Sequence, residues 1–264
     1  MPFPEAQRVI YRNNPLEQVI CMLQFPPILR IETQPPAGFQ DRLRQMYPLF
    51  RESREAEISV PLPPDVAKLF QENYPRTCRT FYELLSEDQV WSVALGASVL
   101  GLRTSRYERW EDFRSRVQEL VGHFIQLYEP AFFSRVSVRY WNVIQRSRLG
   151  LDSSTAWSEL LRPHIAGELA SRDVADDIRQ ASRHLRVRLR DDCGHVILRH
   201  GLVMKKERET KETCFAMNGE FFCERRTDSN GVIRVLDALH EKSGRLFRWC
   251  IEDLLHEAMG PEPV

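Results

Sequence analysis

The sequence predicts an α+β fold: a mainly antiparallel sheet with two long helices on one face. Three patterns predict it. Tyr107, Trp110, Phe113, Val117, Leu120, Val121, Phe124, Leu127 and Tyr128 recur at spacings of three and four, the period of an amphipathic helix. A second stripe runs through Val232, Val235, Leu236, Leu239, Leu246, Phe247, Cys250, Ile251, Leu254 and Leu255. Other segments alternate with a period of two. In 132–144, Val136, Val138 and Tyr140 point one way, and Arg135, Ser137, Arg139 and Trp141 the other.

Taken in order, 17–31 reads as a strand in which Val19, Cys21 and Leu23 alternate with Ile20, Met22 and Gln24. Pro26 and Pro27 interrupt it, because proline cannot donate to a sheet ladder. A helix over 37–50 follows, with Phe39, Leu43, Met46 and Tyr47 on one side. A strand is expected at 55–62 and an irregular connection at 63–79. Strands at 79–86 and 89–103 join through a turn at Glu87 and Asp88, with Trp91, Val93 and Leu95 on one face. Pro130 ends the first long helix. Beyond 132–144, helical segments are expected at 156–169 and 173–180, then a hairpin of 183–190 with 195–204 and a strand at 212–225. The second long helix stops at Gly260 and Pro261.

The stretches 17–128 and 132–259 share one order: strand, helix, three strands, long helix. This suggests an internal duplication, with halves at 1–129 and 130–264 or one continuous domain. Its sheet would keep one face for the helices and the other for partners.

Composition narrows the function classes. Hydrophobic residues make up 42% and charged residues 28% of 264, which is ordinary globular usage. Lysine plus arginine equals aspartate plus glutamate at 37 each, so no global excess of positive charge favours nucleic acid or anionic membrane. No apolar run approaches the roughly 20 residues of a membrane-spanning helix, and a cytoplasmic location without membrane attachment is expected. The six cysteines are scattered without a CxxC pair, which predicts free, buried thiols. Phosphate-loop, dinucleotide, nucleophile-elbow and zinc-helix motifs are absent, and no cofactor is implied.

Two groups of side chains carry possible chemistry. Arg186, Arg188 and Arg190 alternate with Leu185, Val187 and Leu189, and Arg135 and Arg139 flank Trp141 on the earlier strand. Guanidinium groups bind phosphate and carboxylate bidentately, so these strands could present an anion-binding surface. The competing reading is a sheet face whose arginines pair with Glu220 and Glu224 across strands. His184, His195 and His200 lie in one hairpin, but His195 and His200 differ by an odd number and should face opposite ways, which is poor metal geometry. His240, near Asp237 and Glu241, lies beside the second stripe and reads as a packed residue.

Four blocks carry a family likeness. They are Tyr11, Asn14, Pro15, Leu16, Val19, Ile20, Phe25 and Pro26 (YxxNPLxxVIxxxxFP); Leu102, Thr104, Tyr107, Trp110, Glu111 and Phe113 (LxTxxYxxWExF); Tyr128, Pro130, Phe132, Arg135, Val136, Arg139, Tyr140, Asn142 and Ile144 (YxPxFxxRVxxRYxNxI); and Leu239, His240, Leu246 and Phe247 (LHxxxxxLF). Together they resemble a sporadically distributed bacterial family of uncharacterised proteins of about this length. Ser137 departs from a glycine expected there. The resemblance implies no catalytic residue, and the family's patchy distribution implies genes that travel with defence or mobile loci.

The expected function is therefore a non-enzymatic binding or accessory protein of a bacterial defence or mobile-element locus. It would act on a protein partner encoded nearby through Arg135, Arg139, Trp141, Arg186, Arg188 and Arg190. The alternatives are RNA or single-stranded DNA binding by the same arginine and tryptophan face, and an enzyme with a pocket between sheet and helices around His240 or His184.

Overall fold

A computed structural model describes residues 2–53, 80–190, 194–207 and 210–263. The expected strand at 55–62 and connection at 63–79 lie outside the described residues. Eleven described strands form a two-stranded ribbon and a nine-stranded sheet, with seven α-helices. The α+β class and the mainly antiparallel sheet are as the sequence predicts.

The strands are β1 (Val9–Tyr11), β2 (Leu16–Gln24), β3 (Leu49–Ser53), β4 (Phe81–Leu85), β5 (Trp91–Gly96), β6 (Val99–Thr104), β7 (Arg135–Ile144), β8 (Ser182–Arg188), β9 (His195–Glu207), β10 (Thr210–Cys223) and β11 (Pro261–Pro263). The helices are α1 (Leu29–Thr33), α2 (Ala37–Leu43), α3 (Trp110–Tyr128), α4 (Trp157–Leu160), α5 (Pro163–Ala166), α6 (Val232–Cys250) and α7 (Asp253–Ala258). The large sheet has the order β3-β4-β5-β6-β2-β7-β10-β9-β8, and β1 pairs with β11. Read outward from β2 the order is 6, 5, 4, 3, and outward from β7 it is 10, 9, 8, so each opening strand neighbours the last strand of its own series.

The chain divides into two compact units, each drawn from separate stretches: 1–19, 138–223 and 235–264 in the first, 20–137 and 224–234 in the second. The expected cut at 129/130 falls inside the second unit.

In the second unit, α3 is the long helix the periodicity predicts. Trp110, Phe113, Val117, Leu120, Val121 and Phe124 are its buried residues. Glu111 and Asp112 occupy its first turn, where carboxylates complement the helix dipole. Glu129 ends it in the left-handed conformation at φ 45°, one residue before Pro130. Phe124 is the centre of an aromatic cluster, with ring centroids 4.7 Å from Phe25 and 6.4 Å from both Phe39 and Phe133. Phe113 stacks on Trp91 at 5.9 Å, and the Arg116 guanidinium lies over the same indole at 4.4 Å.

Three expectations change here. Residues 29–31, read as the end of the first strand, belong instead to α1, after Pro26 and Pro27 close β2. The helix expected at 37–50 is cut to α2, and β3 begins directly after Pro48. The single strand expected at 89–103 is the β5–β6 hairpin, in which Gly96 pairs with Val99.

In the first unit, α6 carries the second stripe but stops at Cys250, and α7 continues after a break. The chain pauses because Ile251 bridges Leu161, with Arg162 N–H bonded to the Cys250 carbonyl and Glu252 N–H to that of Leu160. The Tyr140 hydroxyl and His240 Nδ1 are 2.7 Å apart, which makes His240 the packed residue that its position suggests. The helices expected at 156–169 and 173–180 are short: α4, α5 and single 3-10 turns. The hairpin of β8 and β9 needs glycine at 194, where φ is +94° and an added Cβ would overlap the Phe222 carbonyl.

Replacing Phe124 by alanine removes the shared neighbour of four rings, those of Phe25, Phe39, Tyr128 and Phe133. It should cost about 3–5 kcal/mol, the range for a buried aromatic truncated in a core. Leu29→Ala, at a side chain two-thirds exposed, should cost less than about 0.5 kcal/mol. Urea unfolding of the two variants checks both values.

Candidate functional site

The register of β10, β9 and β8 places Arg186 and Arg188 on one sheet face with Glu220 and Phe222. Glu220 pairs with Ile197 and Ile197 with Arg186; Phe222 pairs with His195 and His195 with Arg188. Arg139 joins that face by donating to Glu220 at 3.0 Å, and both side chains are only 6% exposed. The pair is therefore a buried ion pair, and Arg139 is spent on internal structure. In the second unit Arg135 pairs with Glu224, whose side chain is about half exposed. The carboxylates weighed as cross-strand partners are in place at both positions.

Trp141 is half-buried, and its indole Nε1 meets no hydrogen-bonding group among the described residues. Ser137 is buried, and its hydroxyl donates to the Met22 carbonyl at 3.2 Å, so the serine at the expected glycine position is held by the neighbouring strand.

Arg186 and Arg188 are exposed on β8. Arg186 lies over the Phe222 ring at 5.4 Å from its centroid. Arg190 is also exposed, but β8 ends at Arg188, so it follows the strand instead of extending the row. Leu185 and Val187 do not form a fully buried underside: Leu185 is 38% exposed and Val187 half-buried. The cause is position, because β8 is the terminal strand of the sheet order.

The backbone of β8 is equally informative. Leu189 N–H bonds to the Gly194 carbonyl and Leu202 N–H to that of Ala181, so the odd-numbered residues of β8 face β9. In an antiparallel ladder this alternates. His184, Arg186 and Arg188 therefore turn their N–H and C=O groups away from the sheet.

The three histidines are divided as the spacing predicts. His195 stacks on Phe222 at 5.6 Å, and His200 lies beside Phe215, on the other face, at 5.8 Å. Partial desolvation lowers the pKa of His184, and Arg199 lowers it further. Burial, with help from Arg183 and His164, pushes His200 down to about 4. Among the described cysteines, Cys21, Cys214, Cys223 and Cys250 are free and buried. Burial raises Cys214 to about 11 and pushes Cys21 and Cys250 up as well, which keeps these thiols protonated and unreactive. Among the described residues no group of three His, Cys, Asp or Glu side chains could hold a metal ion, and no helix is long and apolar enough to cross a membrane.

One cationic group was not singled out in the sequence. Arg162, Arg245 and Arg248 line a cleft in the first unit together with His164, Trp249 and His256. Half of the signal was visible, since Arg245, Arg248 and Trp249 stand at i, i+3 and i+4 on one helix face.

Two outcomes follow from these environments. Glu220→Gln leaves the Arg139 guanidinium buried without its counter-charge and should cost roughly 3 kcal/mol, whereas Arg139→Met with Glu220→Leu should cost less than that single change. Chemical denaturation of both variants checks the ordering. His200 binds its proton in the unfolded chain near its ordinary pKa of 6.5 but in the folded chain only near 4. Its contribution to stability is complete above about 6.5 and is lost as pH falls towards 4, because the unfolded state binds the extra proton. The urea midpoint should therefore drop between pH 7 and 4.5, and His200→Gln should flatten that part of the profile.

Compared with protein-family models and with curated proteins, the chain matches none.

Proposed function

We propose that the protein is a non-enzymatic binding protein that takes up an extended, acidic segment of a larger partner protein as an added strand along β8. The observation that carries this is the outward edge of β8. Exposed Arg186 and Arg188 share one face, and the backbone groups of His184, Arg186 and Arg188 point away from β9. An added strand takes its affinity from main-chain hydrogen bonds and its selectivity from alternate side chains. Carboxylates on one face of that strand would meet the two guanidinium groups in charge-assisted pairs. The family likeness supports a setting in a bacterial defence or mobile-element locus, with the partner encoded nearby.

The nucleic-acid reading asks for phosphate contacts from Arg135 and Arg139, and both are occupied by Glu224 and Glu220. The enzyme reading asks for a shifted histidine beside a carboxylate. His184 is shifted by desolvation and Arg199, and His240 faces the Tyr140 hydroxyl.

The test is calorimetric titration with a synthetic peptide in which valine and glutamate alternate. Arg188→Glu should weaken binding by about tenfold or more, as expected when charge is reversed at a desolvated pair. Its melting should change by no more than about 0.5 kcal/mol equivalent, because the residue is exposed. Arg186→Pro deletes one outward N–H without touching the β9 ladder and should also weaken the peptide. Wild-type affinity in both variants would sink the proposal.

A further inference from the structure

The cleft in the first unit has a volume of about 550 Å³ and is lined by residues 4–7 and Val9 of the N-terminal stretch, by Arg162 and His164, and by Arg245, Arg248, Trp249 and His256. A cavity of this size accommodates a small organic molecule rather than a single inorganic ion.

Its lining is cationic, and two of its three arginines are held in place by the backbone. Arg162 Nε and Arg248 Nη1 both donate to the Ile251 carbonyl, at 3.1 and 3.0 Å. Two guanidinium groups are thus fixed on one acceptor, at the break between α6 and α7. Arg162 also pairs with Glu252 at 2.9 Å, and that carboxylate is largely covered.

The remaining counter-charges differ. Asp253 bridges Arg248 and Arg162, Glu241 pairs with Arg245 at 3.1 Å, and Glu5 reaches Arg245 at 4.0 Å. Their side chains are 76%, 71% and 94% exposed, while those of Arg245 and Arg248 are only 25% and 27% exposed. Arg162 and Arg248 are anchored on the Ile251 carbonyl, and Asp253, Glu241 and Glu5 are solvated. An exposed ion pair contributes little, so an incoming anion displaces these carboxylates at small cost.

His164 adds a neutral wall. Its Nε2 donates to the Trp249 carbonyl at 3.0 Å, and its ring lies 3.9 Å from that of Trp249. Partial burial lowers its pKa, as does Arg162. Its Nδ1 is then an acceptor for a ligand hydroxyl. Behind the lining residue His256, the Tyr11 hydroxyl lies 2.8 Å from its Nδ1, and burial raises the tyrosine to about 12, so its hydroxyl stays protonated.

We infer that this cleft is a binding site for a small organic oxyanion, a phosphorylated or polycarboxylated molecule held by Arg162, Arg245 and Arg248. The site is separate from the edge of β8 and does not rest on the partner reading.

Titration calorimetry with pyrophosphate and with citrate, on the full chain at low ionic strength, tests it. At least one should bind with a dissociation constant below about 1 mM, and the preferred probe identifies the phosphate or carboxylate class. Arg245→Gln should weaken binding by about tenfold, the loss of one charge-assisted contact. Asp253→Asn should tighten it about threefold or more, by freeing two guanidinium groups from a competing carboxylate. Arg188→Glu should leave it unchanged, so the cleft and the β8 edge stand or fall separately. An unchanged melting temperature in each variant confirms the fold. Failure of both probes to saturate below about 10 mM, or equal affinity in wild type, Arg245→Gln and Asp253→Asn, overturns the assignment.

Discussion

Each compact unit depends on one long helix whose apolar stripe can leave water only against the period-two face of its strands. In the second unit this burial converges on Phe124, where rings from β2's exit, α2, α3 and the entry to β7 meet. In the first, α6 lies on Tyr140 and on Gly219, where Leu246 comes within 3.4 Å of the Cβ position.

What was legible follows from how local each signal is. The stripe of α3, the strand β7 and the β8–β9 hairpin are each written within one continuous stretch of sequence, and each formed as expected. The β5–β6 hairpin was read as one strand because Ala97 and Ser98 offer none of the glycine, proline or asparagine signals that mark a turn. The break between α6 and α7 was invisible because its cause, the bridge from Ile251 to Leu161, is 90 residues away. The β1–β11 ribbon was missed for the same reason. At the site, alternation put Arg186 and Arg188 on one face, but only the structure shows that Arg135 and Arg139 are consumed by carboxylates.

The contrast among the arginines is one of solvation. Arg139 and Glu220 are held out of water together, so their attraction is largely offset by lost hydration and chiefly fixes geometry. Arg186 and Arg188 keep their hydration, and Arg245 and Arg248 lie between these limits. Equal numbers of acids and bases conceal this sorting.

The discontinuity of the units has a kinetic consequence. The second unit draws most of its chain from one stretch, 20–137, and can begin to condense once that stretch has been synthesised. The first needs residues 1–19 to meet 138–223 and 235–264, and β1 finds β11 only when Pro261–Pro263 has emerged. During that interval the strand Val9–Tyr11 and the aromatic pair of Phe3 with Trp249 lack their other halves. Contacts of such long sequence separation form slowly, because the entropy of closing the loop is lost before any contact repays it. Assembly of the first unit, and with it the cleft, is therefore a late event that waits on nearly the whole described chain.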